Sequence, residues 1–219
     1  MMQLYQGKAA FSEATNLQEE QPTHDFKLKV DRVFLTKELS DFFNRVIPLL
    51  PLPLGQLEGV LNADAELSAR GTQPEELFAG LNGSGTATMP ENLRLMMPVF
   101  RRVPGLGKYS DLELATMDSS FTIKNGLSDS KTTFKADDLT MELTGTTNLV
   151  KRKVPGIELP GREIDYSVSL SGDRVGRDLR RFLNKKGELP VKIKGTLEQP
   201  KAKLVVAGIL GPLLEGLLK

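Results

Sequence analysis

Leu139-Thr140-Met141-Glu142-Leu143-Thr144-Gly145-Thr146-Thr147-Asn148-Leu149 alternates between two kinds of residue along its length. Successive side chains of an extended strand point to opposite faces. Leu139, Met141, Leu143 and Leu149, with Gly145 and Thr147 between them, therefore share one face, and Thr140, Glu142, Thr144, Thr146 and Asn148 share the other. A strand that is wet on one side only belongs in an antiparallel sheet, because strands of a doubly wound parallel sheet are covered on both sides and read as continuous apolar runs.

The pattern recurs outward from this stretch. Phe26, Leu28 and Val30 alternate with Lys27, Lys29 and Asp31. Leu57, Gly59, Leu61, Ala63, Ala65, Leu67 and Ala69 oppose Glu58, Asn62, Asp64, Glu66, Ser68 and Arg70, with Val60 as the exception. Ile164, Tyr166, Val168 and Leu170 oppose Asp165, Ser167 and Ser169. Lys124-Asn125-Gly126 is a hairpin signal, since Asn-Gly accepts the positive φ angles of a type I′ turn. Asp129-Ser130 and Ala136-Asp137-Asp138 are softer breaks, so residues 112–170 predict a meander of four or five strands.

Helices are fewer. Thr36 precedes the stripe Leu39, Phe42, Phe43, Val46, Ile47, which Pro48 ends. Thr72-Gln73-Pro74-Glu75 is a capping box with proline in the first turn, and Gly80 closes the short helix. Residues 91–103 carry Leu93, Met96, Met97 and Phe100 at helical spacing, with Pro98 as a kink, and Val175, Leu179, Phe182 and Leu183 share one side of another helix. Most of these helices fall between or after strands, so the fold class is β-dominated α+β. The chain reads as one unit over 1–219, the Pro-rich link 48–55 being the place where a sub-boundary could fall. The apolar run 204–219 is too short and broken to span a bilayer, and is expected to cap one end of the sheet.

Composition narrows the function. Lys and Arg total 29 against 28 Asp and Glu, a net charge of +1, so no global field favours nucleic acid. The local basic clusters Lys151-Arg152-Lys153 and Arg180-Arg181 lack interleaved aromatics. There is no cysteine, which removes thiolate metal sites, disulfides and a thiol nucleophile. The single histidine, His24, lies in a turn-like segment and is expected to be solvated. No basic segment followed by an apolar core is visible at the start of the sequence. Gly80-Leu81-Asn82-Gly83-Ser84-Gly85 and Pro104-Gly105-Leu106-Gly107-Lys108-Tyr109 each miss the glycine spacing of a phosphate loop, and the carboxylates fall on turns and wet faces without a catalytic or metal-ligand spacing. No enzyme, cofactor or metal is expected.

Leu189-Pro190-Val191-Lys192-Ile193-Lys194-Gly195-Thr196-Leu197-Glu198-Gln199-Pro200 predicts one further strand between two prolines, with Val191, Ile193 and Leu197 on its apolar face. This string resembles the closing strand of the AsmA family of bacterial envelope proteins. Four other segments are similar to that family in the same order: Leu4-Tyr5-Gln6-Gly7, the row from Leu57-Glu58-Gly59 to Ala69-Arg70-Gly71, Glu76-Leu77 through Gly83-Ser84-Gly85, and Phe121-Thr122-Ile123-Lys124-Asn125-Gly126. The family's usual membrane-anchoring helix has no counterpart here, and Ser84 to Thr88 is less hydrophobic than the family's strand at that place.

The resemblance implies a curled antiparallel β-sheet, a β-groove with a few short amphipathic helices, in a periplasmic protein of a family normally anchored in the inner membrane. It implies a non-enzymatic role in phospholipid transport or outer-membrane assembly. Phospholipid acyl chains would be the partners, together with a membrane surface or envelope proteins, and no nucleic acid. A lipid path would be lined by Leu61, Leu67, Phe121, Ile123, Leu139, Met141, Leu143, Tyr166, Val168, Val191 and Ile193. The alternative is a structural or interaction scaffold of the same fold, whose apolar face is packed by its own chain and holds no lipid. Alternation alone does not separate the two.

Overall fold

The computed structural model describes residues 2–4, 7–18, 21–40, 55–150 and 162–205. Among the described residues thirteen strands form the sheet. They are β1 (Met2–Leu4), β2 (Gly7–Asn16), β3 (Thr23–Leu35), β4 (Gln56–Arg70), β5 (Asn82–Met89), β6 (Leu93–Met96) and β7 (Asp111–Leu114), then β8 (Thr116–Lys124), β9 (Leu127–Ala136), β10 (Leu139–Asn148), β11 (Glu163–Ser171), β12 (Leu189–Thr196) and β13 (Pro200–Leu204). Their order is β1-β2-β3-β4-β5-β8-β9-β10-β11-β12-β13, with β6 and β7 off this path, and neighbours are antiparallel. Short helices, α1 (Pro74–Ala79) and α2 (Asp173–Leu179) among them, complete the α+β class.

The expected curl is corrected. The sheet is open, neither curled into a groove nor closed, and its two ends, β1 and β13, do not pair with each other. The groove and the membrane association expected with it are therefore set aside. The dry rows of the central strands instead meet other parts of the same chain. The element that covers it comes from a fork in β4. Gln56 to Glu58 pair with β6, whereas Asn62 to Ser68 pair with β5. Gly59 lies between them with φ +140°, and a Cβ there would sit 3.0 Å from Met89 Cε and 3.3 Å from Leu93 Cα. Since β5 pairs directly with β8, the chain between them leaves the main sheet.

That excursion is β6, two 3-10 turns (Pro98–Arg102 and Gly107–Tyr109) and β7. Its Leu93, Leu95, Met97, Phe100, Leu106 and Tyr109 are fully buried, in one cluster with Leu61, Met141, Val168 and Ile193 of the main sheet. The helix expected over 91–103 is thus a strand and a 3-10 turn. Pro98 starts the turn, and Leu93 to Met96 find backbone partners in β4 and β7. Val175 and Leu179 of α2 pack into the same cluster, and a 3-10 turn over Arg180–Phe182 ends that helix sooner than the apolar spacing predicted.

A second, smaller cluster joins Ala65, Ala69, Leu81, Phe121, Ile123 and Leu149, with Leu77 and Phe78 of α1 laid against it. α1 has the expected proline start and Gly80 stop, but its capping carboxylate is Glu76, not Glu75. Glu76 accepts hydrogen bonds from the backbone N–H groups of Thr72 (2.9 Å) and Gln73 (3.3 Å). These bonds hold the Glu76 carboxyl below its ordinary value.

The hairpin at Asn125-Gly126 forms as predicted, with φ of 48° and 74°. The break expected at Asp129-Ser130 does not exist, since β9 runs straight through it. The 189–200 string is one strand and the start of another. Gly195 turns at φ +114°, and β13 pairs back on β12, so β12 is not the closing rung. Thr196, rather than Leu197, is fully buried at its end. His24 lies in β3, not in a solvated turn. Of the stripe at 36–47 only a helical turn at 37–40 falls among the described residues; 41–54, 151–161 and 206–219, which include most of the Pro-rich link and of the apolar terminal run, lie outside them.

Because Phe100 is the largest apolar side chain of the excursion and is 0% exposed, Phe100→Ala is expected to lower unfolding free energy by about 3–5 kcal/mol. Leu127→Ala, at a half-exposed site, should stay within about 0.5 kcal/mol. Urea unfolding of the three proteins followed by far-UV circular dichroism checks both.

Candidate functional site

The eleven residues of the expected lipid path all lie on the same face of the sheet. Ten of them are buried (Leu61, Phe121, Ile123, Leu139, Met141, Leu143, Tyr166, Val168, Val191 and Ile193), and Leu67 is partly buried. They do not form one continuous row. Phe121, Ile123 and Leu67 belong to the smaller cluster under α1, and the other eight to the larger one under the excursion.

A seam of hydroxyl groups lies between them on β8, β9 and β10. Ser119, Ser128, Ser130, Thr132 and Thr147 are buried on the face where apolar residues were expected. Ser119 Oγ is 3.0 Å from Thr132 Oγ1. Tyr166 Oη is 3.0 Å from Ser130 Oγ and 2.9 Å from Thr147 Oγ1, so its polar end is satisfied inside the sheet's dry layer. The ring fits because its cross-strand partner is Gly145. A Cβ there would lie 2.6 Å from Tyr166 Cα and 2.2 Å from Asp165 O. Burial pushes the Tyr166 phenol above its ordinary value, against the two hydroxyl hydrogen bonds, which lower it. The seam was missed because Asp129-Ser130 looked like a turn. The signal was present in Asp129, Lys131 and Lys135, which can only face water and so place Ser128, Ser130 and Thr132 inward.

An open cleft of about 890 Å³ lies at the fork in β4 and has none of the eleven residues in its wall. Phe34, Glu58, Asn92, Arg94, Asp138 and Arg174 line it. Its two cations are both engaged. Arg94 donates from Nε (2.8 Å) and Nη2 (2.7 Å) to the two oxygens of Asp111, a fork-to-fork pair. Arg174 Nη2 is 2.8 Å from Asp138 Oδ1, and its Nε donates to Oδ2 at 3.1 Å. These guanidinium groups hold Asp111 and Asp138 below the ordinary carboxylate value. The arrangement ties β6 to β7, and α2 to the start of β10. Among the described residues of the wall no cation is left to receive an anion.

Elsewhere the discarded motifs are structural. Gly80 to Gly85 is a helix stop followed by β5, and residues 104–109 form a turn that runs into the 3-10 turn Gly107–Tyr109. Among the described residues no cluster of His, Asp and Glu could hold a metal ion, and no helix is long and apolar enough to cross a membrane. His24 bridges three elements. Its Nδ1 is 3.2 Å from Glu13 Oε1 and 3.1 Å from Thr15 Oγ1 on β2, and its Nε2 is 3.1 Å from Gly71 O beyond β4.

Tyr166→Phe removes the one group that both Ser130 and Thr147 reach. It is expected to cost about 1–3 kcal/mol, more than Thr140→Val on the wet face of the neighbouring strand, in chemical denaturation. For Asp111 the folded-state value is depressed, so its contribution is complete above the ordinary value of 3.8 and is lost as pH falls below it. Asp111→Asn should therefore flatten the fall of the thermal midpoint between about pH 4 and pH 2, and an unchanged slope would refute that role.

No family model, no curated protein and no solved structure matches this chain.

Proposed function

We propose that this protein is a non-enzymatic structural or interaction scaffold, an open antiparallel sheet whose dry face is packed by its own chain and carries no lipid. The observation that supports this most is the burial of Phe100, Leu106 and Tyr109 of the excursion in one cluster with Met141, Val168 and Ile193, where a lipid path would run. An acyl chain there would have to displace packed side chains. Removing a chain of fourteen carbons from a bilayer costs roughly 11 kcal/mol, at about 0.8 kcal/mol per methylene. A site already filled by protein offers no apolar surface to offset that.

The hydroxyl seam supports the same role. Ser128, Ser130 and Thr132 interrupt the apolar row of β9 between the two clusters, and Leu28 packs against both. The paired charges of the cleft at the fork act as clasps between elements and supply neither an acid–base pair nor an anion site.

Native mass spectrometry of gently purified protein is expected to give the mass of the bare chain. Photo-crosslinkers placed at Met141 and Ile193 in lipid-containing extracts should capture no more phospholipid than one placed at Lys131, which is exposed. Retention of phospholipid in fixed proportion, with crosslinks concentrated at Met141 and Ile193, would overturn the scaffold in favour of a lipid carrier.

A further inference from the structure

The chain has one histidine, and the fold surrounds it with acceptors. His24 stands near the start of β3 on the sheet's dry face, opposite Thr15 of β2 on one side and Ala69 of β4 on the other. Its side chain is 18% exposed. Three oxygens meet its two ring nitrogens: Glu13 Oε1 (3.2 Å) and Thr15 Oγ1 (3.1 Å) at Nδ1, and Gly71 O (3.1 Å) at Nε2. The ring lies parallel to Phe26, with 5° between the planes and 6.1 Å between the centroids. The Gly71 carbonyl is fixed as well. Gly71 has φ +122°, its N–H donates to Pro22 O at 3.0 Å, and a Cβ there would lie 2.5 Å from Glu76 Cβ.

A carbonyl and an ionised carboxylate only accept hydrogen bonds, and a neutral imidazole has one N–H and one lone pair. A neutral His24 therefore cannot donate to Glu13 and Gly71 together. With the proton on Nε2 the Gly71 bond is kept, and the Nδ1 lone pair faces the Glu13 carboxylate. With the proton on Nδ1 the Nε2 lone pair faces the Gly71 carbonyl. The single proton of the Thr15 hydroxyl reaches either Nδ1 or Glu13 Oε1 (3.3 Å), so it caps Nδ1 only by giving up Glu13. The imidazolium satisfies every contact, with Nδ1–H toward Glu13 and Thr15 and Nε2–H toward Gly71. Among the described residues Glu13 is the one charged side chain that meets the ring. On the same face β3 presents Phe26, and β4 presents Ala69 and Leu67. Asp25 and Arg70 fall on the opposite face. Glu76 lies behind Gly71, its carboxylate already accepting from Thr72 and Gln73.

We propose that His24 is a protonation-controlled fastener of β2: as the imidazolium it binds Glu13 and Gly71 at once and holds the Glu13–Asn16 end of β2 to β3 and to the end of β4, and as the neutral ring it lets go of Glu13 and loosens that end. The neutral ring keeps Gly71, because that carbonyl is fixed, whereas the Glu13 side chain is 43% exposed and turns into water. A contact made only by the protonated form is complete at the acid end and is lost as pH rises, so this end of β2 is closed below the histidine transition and looser above it. Histidine changes its charge between about pH 5 and pH 8, which places the device in the physiological range. What remains above the transition is the backbone ladder from Glu13–Phe26 to Asn16–Thr23 and the stack of Phe11 on Phe26. The opening is thus local and leaves the rest of the sheet in place. It does not depend on whether the dry face holds lipid, and so goes beyond the scaffold reading.

A single histidine makes the ring signals unambiguous. Ring ¹⁵N–¹H correlation spectra of the full chain, taken from about pH 5 to about pH 8, report the charge and the tautomer. Hydrogen exchange of the amides of Glu13 to Asn16 that bond to β3, divided by the intrinsic rate at each pH, reports the opening. Their protection is expected to fall about threefold to tenfold as pH rises, along the same curve as the ring signals, while the amides of Met141 and Leu143 in β10 keep theirs. The neutral ring is expected to carry its proton on Nε2. Glu13→Gln should flatten the curve, since an amide offers its oxygen to the imidazolium and its NH₂ to the neutral ring. His24→Phe, which keeps a ring beside Phe26, should give the looser level at every pH; Glu13→Gln alters a half-exposed side chain, so the test does not hang on the folding of His24→Phe. Protection that stays constant across the ring titration, a pH dependence that persists in Glu13→Gln, or a neutral ring protonated on Nδ1 would each overturn the proposal.

Discussion

The pairing of β5 with β8 is the constraint on which the rest of the structure depends. Gly83 to Met89 hydrogen-bond to Ile123 to Met117, and this ladder shuts everything between them out of the main sheet. An antiparallel sheet wet on one side has a dry side that must be covered. The excluded segment provides the cover, and it can do so because it is tethered at both ends to the strands it covers. At one end β6 hydrogen-bonds to Gln56 to Glu58 of β4; at the other, Ala115 N–H donates to Lys135 O at 2.7 Å. The apolar side chains between these tethers need only the two 3-10 turns to point inward. Each turn is held by its own backbone bonds, Val103 N–H to Phe100 O (3.1 Å) and Tyr109 N–H to Leu106 O (2.9 Å) among them.

The glycines show how closely the layers approach. At Gly85 a Cβ would lie 2.6 Å from Phe121 Cζ and 2.7 Å from Asp64 O, so the ring of Phe121 lies over bare backbone. Gly145 gives Tyr166 the same room one cluster away. Large rings seated over glycine let the strands keep their register while the dry face holds a bulky side chain on one strand only. The hydroxyl seam follows from the same geometry. With Tyr166 lying toward β9, its phenol oxygen needs partners, and Ser130 and Thr147 are the residues in reach. Buried polar residues on β9 are therefore a consequence of where the ring was placed, and they rank with the apolar contacts in fixing the register of β9 to β11.

Much of this was legible in the sequence. Alternation at 139–149, 164–170 and 57–69 identified β10, β11 and most of β4 together with their dry faces, and Asn125-Gly126 fixed the β8–β9 hairpin. What alternation does not carry is the curvature of the sheet or what lies against its dry side, since a filled core and a groove need the same inward residues. That is why all eleven nominated side chains fall on one face of the sheet while the curl expected for them does not occur. The excursion misled for a local reason. Leu93, Met96, Met97 and Phe100 satisfy helical spacing, yet Leu93 and Leu95 also satisfy a strand, and the choice was made by the distant backbone of Gln56 to Glu58, which no local window contains. His24 was misread because Pro22 and Thr23 look like a turn, whereas β3 begins at Thr23 and draws His24 into contact with Glu13 and Gly71.

The reach of the cover also explains why the two edges differ. The excursion and α2 pack into a cluster that reaches from β3 to β13, and α1 packs over the row from Ala65 to Leu149, but no residue of β2 belongs to either cluster. At β13 the inward Ala202 and Leu204 still touch the larger cluster, so that edge is held by packing and guarded by its lysines. At β2 the dry row passes from Leu67 through Phe26 and Leu28 to Phe11 with steadily less protein above it. A strand held by one neighbour and little packing is costly to order, since each residue fixed in an extended conformation gives up about 1–2 kcal/mol of conformational entropy. His24 offsets part of that cost by tying β2 to β3 and to Gly71. The ties of His24 thus take the place, at β2, of the packing that holds β13 at the other end of the sheet.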